Sequence, residues 1–123
     1  MWRERQRLGR RGEQLAAQWL VSHGYQIEAA NVRFPVGELD LVAWQDETLC
    51  FIEVRSVSST EWGGAAASVT DAKRRRLRRA AEWYLAHKPL IPKYVRFDVV
   101  AITWDGSGAP QVDVIQGAVT ADD

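Results

Sequence analysis

Apolar residues recur along the chain at two different periods, and this change of period predicts both helices and strands. From Leu8 to His23 the apolar positions lie three and four residues apart, which predicts a helix that ends at Gly24. A second helical pattern follows Thr70, a residue suited to cap a helix, and stops before Pro89. Elsewhere alternating or continuous apolar runs predict five strands, over residues 25–32, 38–44, 48–54, 94–104 and 111–115.

The predicted elements follow the order helix-strand-strand-strand-helix-strand-strand, which indicates a single α/β domain with a mixed sheet. A chain of 123 residues can bury one core without disulfide or metal crosslinks. We expect this core to occupy about residues 7–116, with a loop over 56–68. A basic arm over 1–7 and an acidic, frayed tail over 117–123 are expected at the two ends.

The second and third strands form a predicted hairpin, whose register follows from the requirement that opposed residues share a face. A two-residue loop at 46–47 makes one face of this hairpin wholly apolar, whereas a shift by one residue spoils both faces. This register sets Asp40 opposite Glu53, with their Cβ atoms roughly 5 Å apart. Around them it opposes Leu39 to Val54, Leu41 to Ile52, Val42 to Phe51 and Glu38 to Arg55.

Two facing carboxylates beside apolar neighbours need compensation, and three groups can supply it. These are Arg55 on the same face, a proton shared between Asp40 and Glu53, and a divalent cation. Carboxylate oxygens favour Mg²⁺ or Mn²⁺ over zinc, and neither His23 nor His87 has the spacing of a zinc ligand. The alternative is a structural ion-pair cluster at the end of a sheet.

A third acid, Glu13, comes from the first predicted helix. It falls at the edge of the apolar stripe that contains Ala16 and Trp19, and Gly9 and Gly12 would let another segment approach closely. Glu13 is therefore either a further metal ligand or a boundary residue that the helix dipole stabilises.

The formal net charge of zero conceals strong segregation of charge along the sequence. Residues 1–12 carry a charge of +4 and residues 73–79 carry +6, whereas residues 34–54 carry −5 and those from 99 onward carry −4. The second basic segment lies on a helix, where neighbouring like charges repel unless they meet a polyanion. We expect at least four of its cations to point into solvent, and Lys73, Arg74, Arg75 and Arg78 to contact nucleic-acid phosphates. The alternative is a solvated basic face.

The remaining features concern location and ligand contact. A lone Cys50 cannot form an internal disulfide, and the sequence has neither a leader pattern nor an apolar run of membrane-spanning length. We therefore expect a cytoplasmic protein without membrane contact. Trp62, beside two glycines in the predicted loop, is the tryptophan that we expect to touch a ligand.

Several ordered motifs together resemble known nucleases. The segments GELDL (37–41) and FIEVR (51–55) resemble the signature of the PD-(D/E)xK nuclease superfamily, with Arg55 in the place of its lysine. With RGE (11–13), WGGAAASVT (62–70) and RFDVV (96–100), they are similar to the YraN family of small bacterial proteins over roughly residues 7–102. This resemblance implies a restriction-endonuclease-like fold.

The resemblance also implies a function. Glu13, Asp40 and Glu53 would hold Mg²⁺ or Mn²⁺, with Asp40, Glu53 and Arg55 as the catalytic set and Gly37 and Glu38 in support. Arg55 stays protonated, so it would orient a phosphate and could not act as a base. Many members of the family also carry a basic residue where this chain has Val57.

These features favour a metal-dependent endonuclease, a hydrolase acting on DNA, with branched or damaged structures among its candidate substrates. Because many nucleases of this fold act as dimers, a homodimer is also a candidate. The alternatives are a non-catalytic nucleic-acid-binding module on the same fold and a protein with a purely structural or partner-binding role.

Overall fold

The structure is a computed structural model that describes residues 2–35, 37–58, 70–104, 106 and 108–119, with side chains between residues 9 and 117. The predicted loop over 56–68 is strand at residues 56–57, and its residues 59–68, which include Trp62, lie outside the described residues. The elements are α1 (Trp2–Ser22), β1 (Gln26–Phe34), β2 (Gly37–Gln45), β3 (Thr48–Val57), α2 (Asp71–His87), β4 (Tyr94–Thr103) and β5 (Gln111–Val119).

The order of helices and strands is the predicted one, but three elements extend at least three residues beyond their predicted bounds. Helix α1 begins at Trp2 because its first residues are mostly arginine, glutamate and glutamine, which favour helix even without an apolar stripe. Strand β3 continues to Val57, which pairs with Thr103 of β4. Strand β5 continues to Val119, so part of the segment expected to fray is paired with β4.

The five strands form one mixed sheet in the order β1-β2-β3-β4-β5. Neighbouring strands are antiparallel except β3 and β4, which are parallel and are connected through α2. This is a small α/β domain with two helices, and its layout is compatible with a restriction-endonuclease-like fold. Within the described residues, neither helix is long and apolar enough to cross a bilayer.

Each helix covers one face of the sheet. Helix α1 packs through Ala16 and Leu20 against apolar residues of β2, β3 and β4. Helix α2 packs through Leu77, Ala80 and Tyr84 against the opposite face. Thr70 caps α2 as predicted, because its hydroxyl accepts a hydrogen bond from the backbone N–H of Lys73 (3.3 Å).

The hairpin register is confirmed from Gln45–Thr48 to Leu41–Ile52, but the predicted position of Leu39 is wrong. Leu39 packs on the α2 side, whereas Leu41 and Val54 pack on the α1 side. The alternation of β2 therefore breaks at Asp40, between these two leucines. At this point a side chain replaces a backbone carbonyl as the hydrogen-bond acceptor between the two strands. Oδ2 of Asp40 accepts a hydrogen bond from the N–H of Val54 (2.8 Å).

A buried charged cluster stabilises the α1 face of the sheet. Asp98, only 1% exposed, accepts hydrogen bonds from Nε (2.8 Å) and Nη2 (2.9 Å) of Arg96 and from the N–H of Gly117 (2.9 Å). Nη2 of Arg96 donates a further bond to Oη of Tyr25 (3.2 Å). These contacts satisfy the buried charges, which is the condition under which an ion pair can remain inside a core.

Candidate active site

Asp40 lies where the regular pairing of β2 with β3 ends, while the pairing of β2 with β1 continues on both sides of it. On the β3 side, the regular pairs end at Leu41–Ile52 and the Asp40 carboxylate binds the Val54 N–H. On the β1 side, the pairs flanking the site are Ala30–Leu41 and Val32–Leu39, so the register places Asn31 opposite Asp40. Asn31 adopts a left-handed backbone conformation with φ of 52°, which is unusual inside a strand.

The carboxyl groups of Asp40 and Glu53 lie within hydrogen-bonding reach of each other. Burial raises the pKa of Asp40, although the hydrogen bond from Val54 opposes the shift. Burial, and then the charge of Asp40, raises the pKa of Glu53 to about 7, while Arg55 acts in the other direction. The pair therefore resists carrying two negative charges unless a positive charge accompanies it.

The guanidinium of Arg55 lies beside this pair but forms no bidentate hydrogen bond with the Glu53 carboxylate. Its Nη1 atom is 3.7 Å from Oε1 of Glu53, which is beyond the length of a hydrogen bond. Both side chains are half-buried, with 28% of Arg55 and 22% of Glu53 exposed. The guanidinium lines both of the cavities that flank the acidic pair.

The first cavity lies on the α1 side and is lined mainly by acids. Its volume is about 400 Å³, and Glu13 contributes a third carboxylate beside Asp40 and Glu53. Burial raises the pKa of Glu13, as do the charges of Asp40 and Glu38, while a hydrogen bond from the Asn31 side chain lowers it. Glu13 thus lies among like charges, which disfavour its ionised form. We name this space the acidic cavity.

Gly12 allows α1 to approach the sheet at this point. A Cβ atom on Gly12 would lie 3.0 Å from Oγ and 3.1 Å from Cβ of Ser56, so a side chain there would force the helix away. Gly9 differs from the prediction, because a Cβ on it would meet nothing within 4 Å. Close approach at Gly12 therefore brings Glu13, the next residue, to the wall of the acidic cavity.

The second cavity lies on the α2 side, and three cations and three acids line it. Its volume is about 280 Å³, and Lys73, Arg76 and Arg55 line it together with Asp40 and Glu53. Gly37, Glu38 and Leu77 complete its wall. Burial and the neighbouring charge of Arg55 lower the pKa of Lys73, and Glu53 partly compensates. We name this space the basic cavity.

Comparison with known proteins now assigns the chain to a family. The family model described as Uncharacterised protein family UPF0102 matches residues 12–102. The chain belongs to this family. It is 46% identical over 115 residues to a UPF0102 protein of Moorella thermoacetica, covering 93% of this chain and 96% of that protein. It is also similar to UPF0102 proteins of Symbiobacterium thermophilum (43% over 115 residues, 94% and 98% covered) and Anaeromyxobacter dehalogenans (45% over 119 residues, 96% and 87% covered).

The predicted site residues of this UPF0102 protein fall into three groups. Asp40 and Glu53 are in contact, and Glu13, Arg55, Gly37 and Glu38 line the cavities around them. Glu38 is opposed to Arg33, 3.9 Å away, and not to Arg55 as predicted, because the β2–β3 pairing ends before this point. Trp62 lies outside the described residues, so its contact with a ligand stays a prediction.

The basic segment of α2 is more buried than predicted. Arg75, Arg76 and Arg79 are exposed, whereas Lys73, Arg74 and Arg78 are half-buried. Lys73 and Arg74 extend the apolar stripe of α2 by one turn, since they lie four and three residues before the buried Leu77. Lys73 therefore packs its aliphatic stem and lines the basic cavity. Nε of Arg74 is instead buried, with no hydrogen-bond partner among the described residues.

Three residues of the UPF0102 site were not among those predicted from sequence. Arg76 lines the basic cavity, Ser56 lines the acidic cavity, and Asn31 lines a separate space together with Glu13. Helical spacing from Leu77 could have indicated Arg76. For Asn31 the only signal was a residue type that tolerates a left-handed backbone.

Proposed function

We propose that this UPF0102 protein is a metal-dependent nuclease that hydrolyses phosphodiester bonds in DNA. One observation carries the proposal: the half-buried Asp40–Glu53 pair lines two cavities, one in which Glu13 adds a third carboxylate and one in which Lys73 and Arg76 add cations. A nuclease needs both environments side by side, because a cation must be held beside a negatively charged phosphate.

The donors of the acidic cavity fit a hard divalent cation such as Mg²⁺ or Mn²⁺. They are oxygen ligands, and burial together with the charge of Asp40 raises the pKa of Glu53, so a cation here would favour its ionised form. Among the described residues no three His, Cys, Asp or Glu side chains are already gathered closely enough to hold a metal. Mg²⁺ commonly binds through one or two carboxylates and keeps several waters, so Asp40 and Glu53 would hold it with Glu13 beside them.

When bound, the cation would supply an activated water and stabilise negative charge on the phosphate. Hydrolysis forms a bond from the water oxygen to phosphorus and breaks one phosphorus–oxygen ester bond. Arg55, Lys73 and Arg76 would bind the phosphate oxygens from the basic cavity. Arg55 cannot accept a proton at neutral pH, so its part is to orient the phosphate and to stabilise the developing charge.

The test is cleavage of linear, flapped and junction DNA, and of a matched RNA, by the purified protein with Mg²⁺ or Mn²⁺. We expect cleavage of DNA that EDTA abolishes and that Asp40→Asn reduces by at least a hundredfold. The matched control is Asp113→Asn, an equivalent change at an exposed acid of β5. The absence of metal-dependent cleavage, or equal cleavage by Asp40→Asn, would reject the nuclease.

A second candidate is a nucleic-acid-binding module that does not cut. Two observations favour it: Arg55 occupies the place of the superfamily lysine, and its Nη1 lies 3.7 Å from the Glu53 carboxylate. A guanidinium at that position partly neutralises the acidic pair and competes with a cation. This module would bind DNA through α2 without any metal requirement.

Retention of DNA on the protein at increasing salt separates the two candidates. Exchanging Arg74, Arg75 and Arg78 together for Gln is expected to weaken retention and to reduce its salt dependence. Lys93→Gln is the control, because Lys93 is exposed and lies 3.4 Å from Glu47 of the β2–β3 turn. Salt-sensitive retention without cleavage would favour the binding module, and no retention at low salt would reject both. A homodimer and a cytoplasmic location stay predictions.

A further inference from the structure

Helix α2 carries cations and aromatic rings in one row along its side. Arg76, Arg79, Trp83 and His87 are separated by three, four and four residues, so they follow one another along the helix surface over about 16 Å. Arg76 lines the basic cavity, Arg79 and His87 are exposed, and Trp83 is half-buried. The acid of this part of α2, Glu82, lies about 100° around the helix from Trp83 and therefore outside the row.

Three aromatic rings stack at the C-terminal end of this row. The ring centroids of Trp83 and His87 are 4.1 Å apart with 17° between the planes, and those of Trp83 and Phe34 are 4.8 Å apart with 12°. Phe34 packs in turn against the core beneath α2. Nδ1 of His87 lies 2.8 Å from the backbone oxygen of Trp83, which can only accept a hydrogen bond, so the imidazole donates one there. We name these three rings the ring stack.

The ring stack adjoins the basic cavity where β1 and β2 pair. Phe34 is the sheet partner of Gly37, and a Cβ atom on Gly37 would lie 4.0 Å from Cε2 of Phe34. Gly37 also lines the basic cavity. Along α2, Trp83 follows Arg76 by seven residues, which is about 10 Å. A nucleic-acid strand whose phosphate occupies the basic cavity would therefore bring a nearby base to the ring stack.

Helix α1 ends with the same pair of residues but without the cations. The rings of Trp19 and His23 stack with centroids 3.7 Å apart and 14° between the planes, and Nδ1 of His23 lies 2.7 Å from the backbone oxygen of Trp19. Four and seven residues before this tryptophan α1 has a leucine and a glycine, where α2 has two arginines. A Trp–His pair by itself is thus a way to end a helix, and the arginines distinguish the pair on α2.

Cations followed by flat rings suit a nucleic-acid strand whose bases are unpaired. Arginine side chains bind the phosphates, and an aromatic ring accepts the face of any base. Inside a duplex the faces of each base are covered by the neighbouring bases, so a base must leave the stack before it can lie on a protein ring. The row on α2 therefore fits a single strand better than a duplex.

We propose that the ring stack binds an unpaired base of a DNA strand whose phosphate occupies the basic cavity. The exposed imidazole of His87 supplies the face on which this base lies. The inference rests on the proposed function, and it narrows the substrate to DNA with a single-stranded segment beside the bond that is cut.

The test measures, by fluorescence anisotropy in EDTA, the Kd for a fluorescein-labelled single-stranded DNA and for a blunt duplex of the same sequence. We expect His87→Ala to weaken binding of the single strand about tenfold and to leave binding of the duplex unchanged. His87→Phe keeps a ring but loses the hydrogen bond to Trp83, and we expect it to bind the single strand as the wild type does. His23→Ala, the same change at the end of α1, is the matched control and should change neither Kd.

A strand of the same length that lacks bases separates stacking from charge. We expect the wild-type protein to bind this abasic strand more weakly than the ordinary strand, and His87→Ala to bind it as the wild type does. Unchanged affinity of His87→Ala for the ordinary strand, or an equal loss for single strand, duplex and abasic strand, would overturn the inference. Because the assay contains EDTA, its result does not depend on cleavage. A protein that binds single strands through His87 but cuts no DNA with Mn²⁺ would reject the proposed nuclease and support the ring stack.

Discussion

Replacing Glu53 with glutamine is expected to stabilise the metal-free protein at alkaline pH, although it removes a proposed metal ligand. Burial is the main cause that raises the pKa of Glu53 to about 7, from an ordinary value of 4.5. The folded chain therefore favours the protonated acid at pH values where the unfolded chain is already ionised. The stability that this group contributes is complete below pH 4.5 and is lost as the pH rises through 7.

The size of the effect follows from the same pKa. A change from 4.5 to about 7 corresponds to about 3 kcal/mol at pH 8, since each pKa unit is worth about 1.4 kcal/mol. The side chain is 22% exposed, so solvent screening reduces the penalty. We expect Glu53→Gln to raise the free energy of unfolding by about 2 kcal/mol at pH 8 and by about 0 kcal/mol at pH 4.

Urea unfolding followed by tryptophan fluorescence in EDTA measures this difference, and the chain contains 6 Trp residues to report it. The matched control is Glu47→Gln at the β2–β3 turn, where the carboxylate is exposed and 3.4 Å from Lys93. We expect this control to change stability by less than about 1 kcal/mol at both pH values. If Glu53→Gln is less stable than wild type at pH 8, or if its effect does not depend on pH, the charge conflict at the acidic pair is refuted.

Two further predictions use the same unfolding measurement. Gly9→Ala should raise the free energy of unfolding by about 0.5 to 1 kcal/mol, because alanine favours helix and its Cβ meets nothing within 4 Å. Gly12→Ala should lower it, because the new Cβ would lie 3.0 Å from Oγ of Ser56, and equal effects of the two changes would contradict the close approach of α1. Arg96→Met should lower it by about 3 to 5 kcal/mol, because Asp98 is left buried without its guanidinium partner. A loss below about 1 kcal/mol would contradict that dependence.

The acidic pair was predictable because it follows from hydrophobic alternation. The loop at 46–47 and the apolar face of the hairpin determine the register, and the register opposes Asp40 to Glu53. The same reasoning misplaced Leu39, because it assumed regular alternation through Asp40. The alternation breaks because the Asp40 carboxylate accepts a hydrogen bond from a backbone N–H of β3. The pattern of apolar residues in the sequence does not predict such a hydrogen bond.

The surroundings of the pair depend on contacts between elements distant in sequence. Glu13 reaches the acidic cavity because α1 packs closely at Gly12, which the sequence indicated only as a small residue on a helix. Charge counting identified the basic segment of α2 but could not separate the cations of the basic cavity from those facing solvent. Which cations line the cavity depends on how deeply the face of α2 that carries Lys73 packs against the sheet.

The most direct test of the proposed site is an anomalous-difference map from crystals of the protein soaked in Mn²⁺. The central claim is that a divalent cation, and not a proton or Arg55, compensates the Asp40–Glu53 pair. We expect an anomalous peak within about 2.5 Å of carboxylate oxygens of both residues, with Glu13 turned toward it and no peak in Asp40→Asn crystals. The guanidinium of Arg55 bound to both carboxylates, with no peak between them, would contradict the claim.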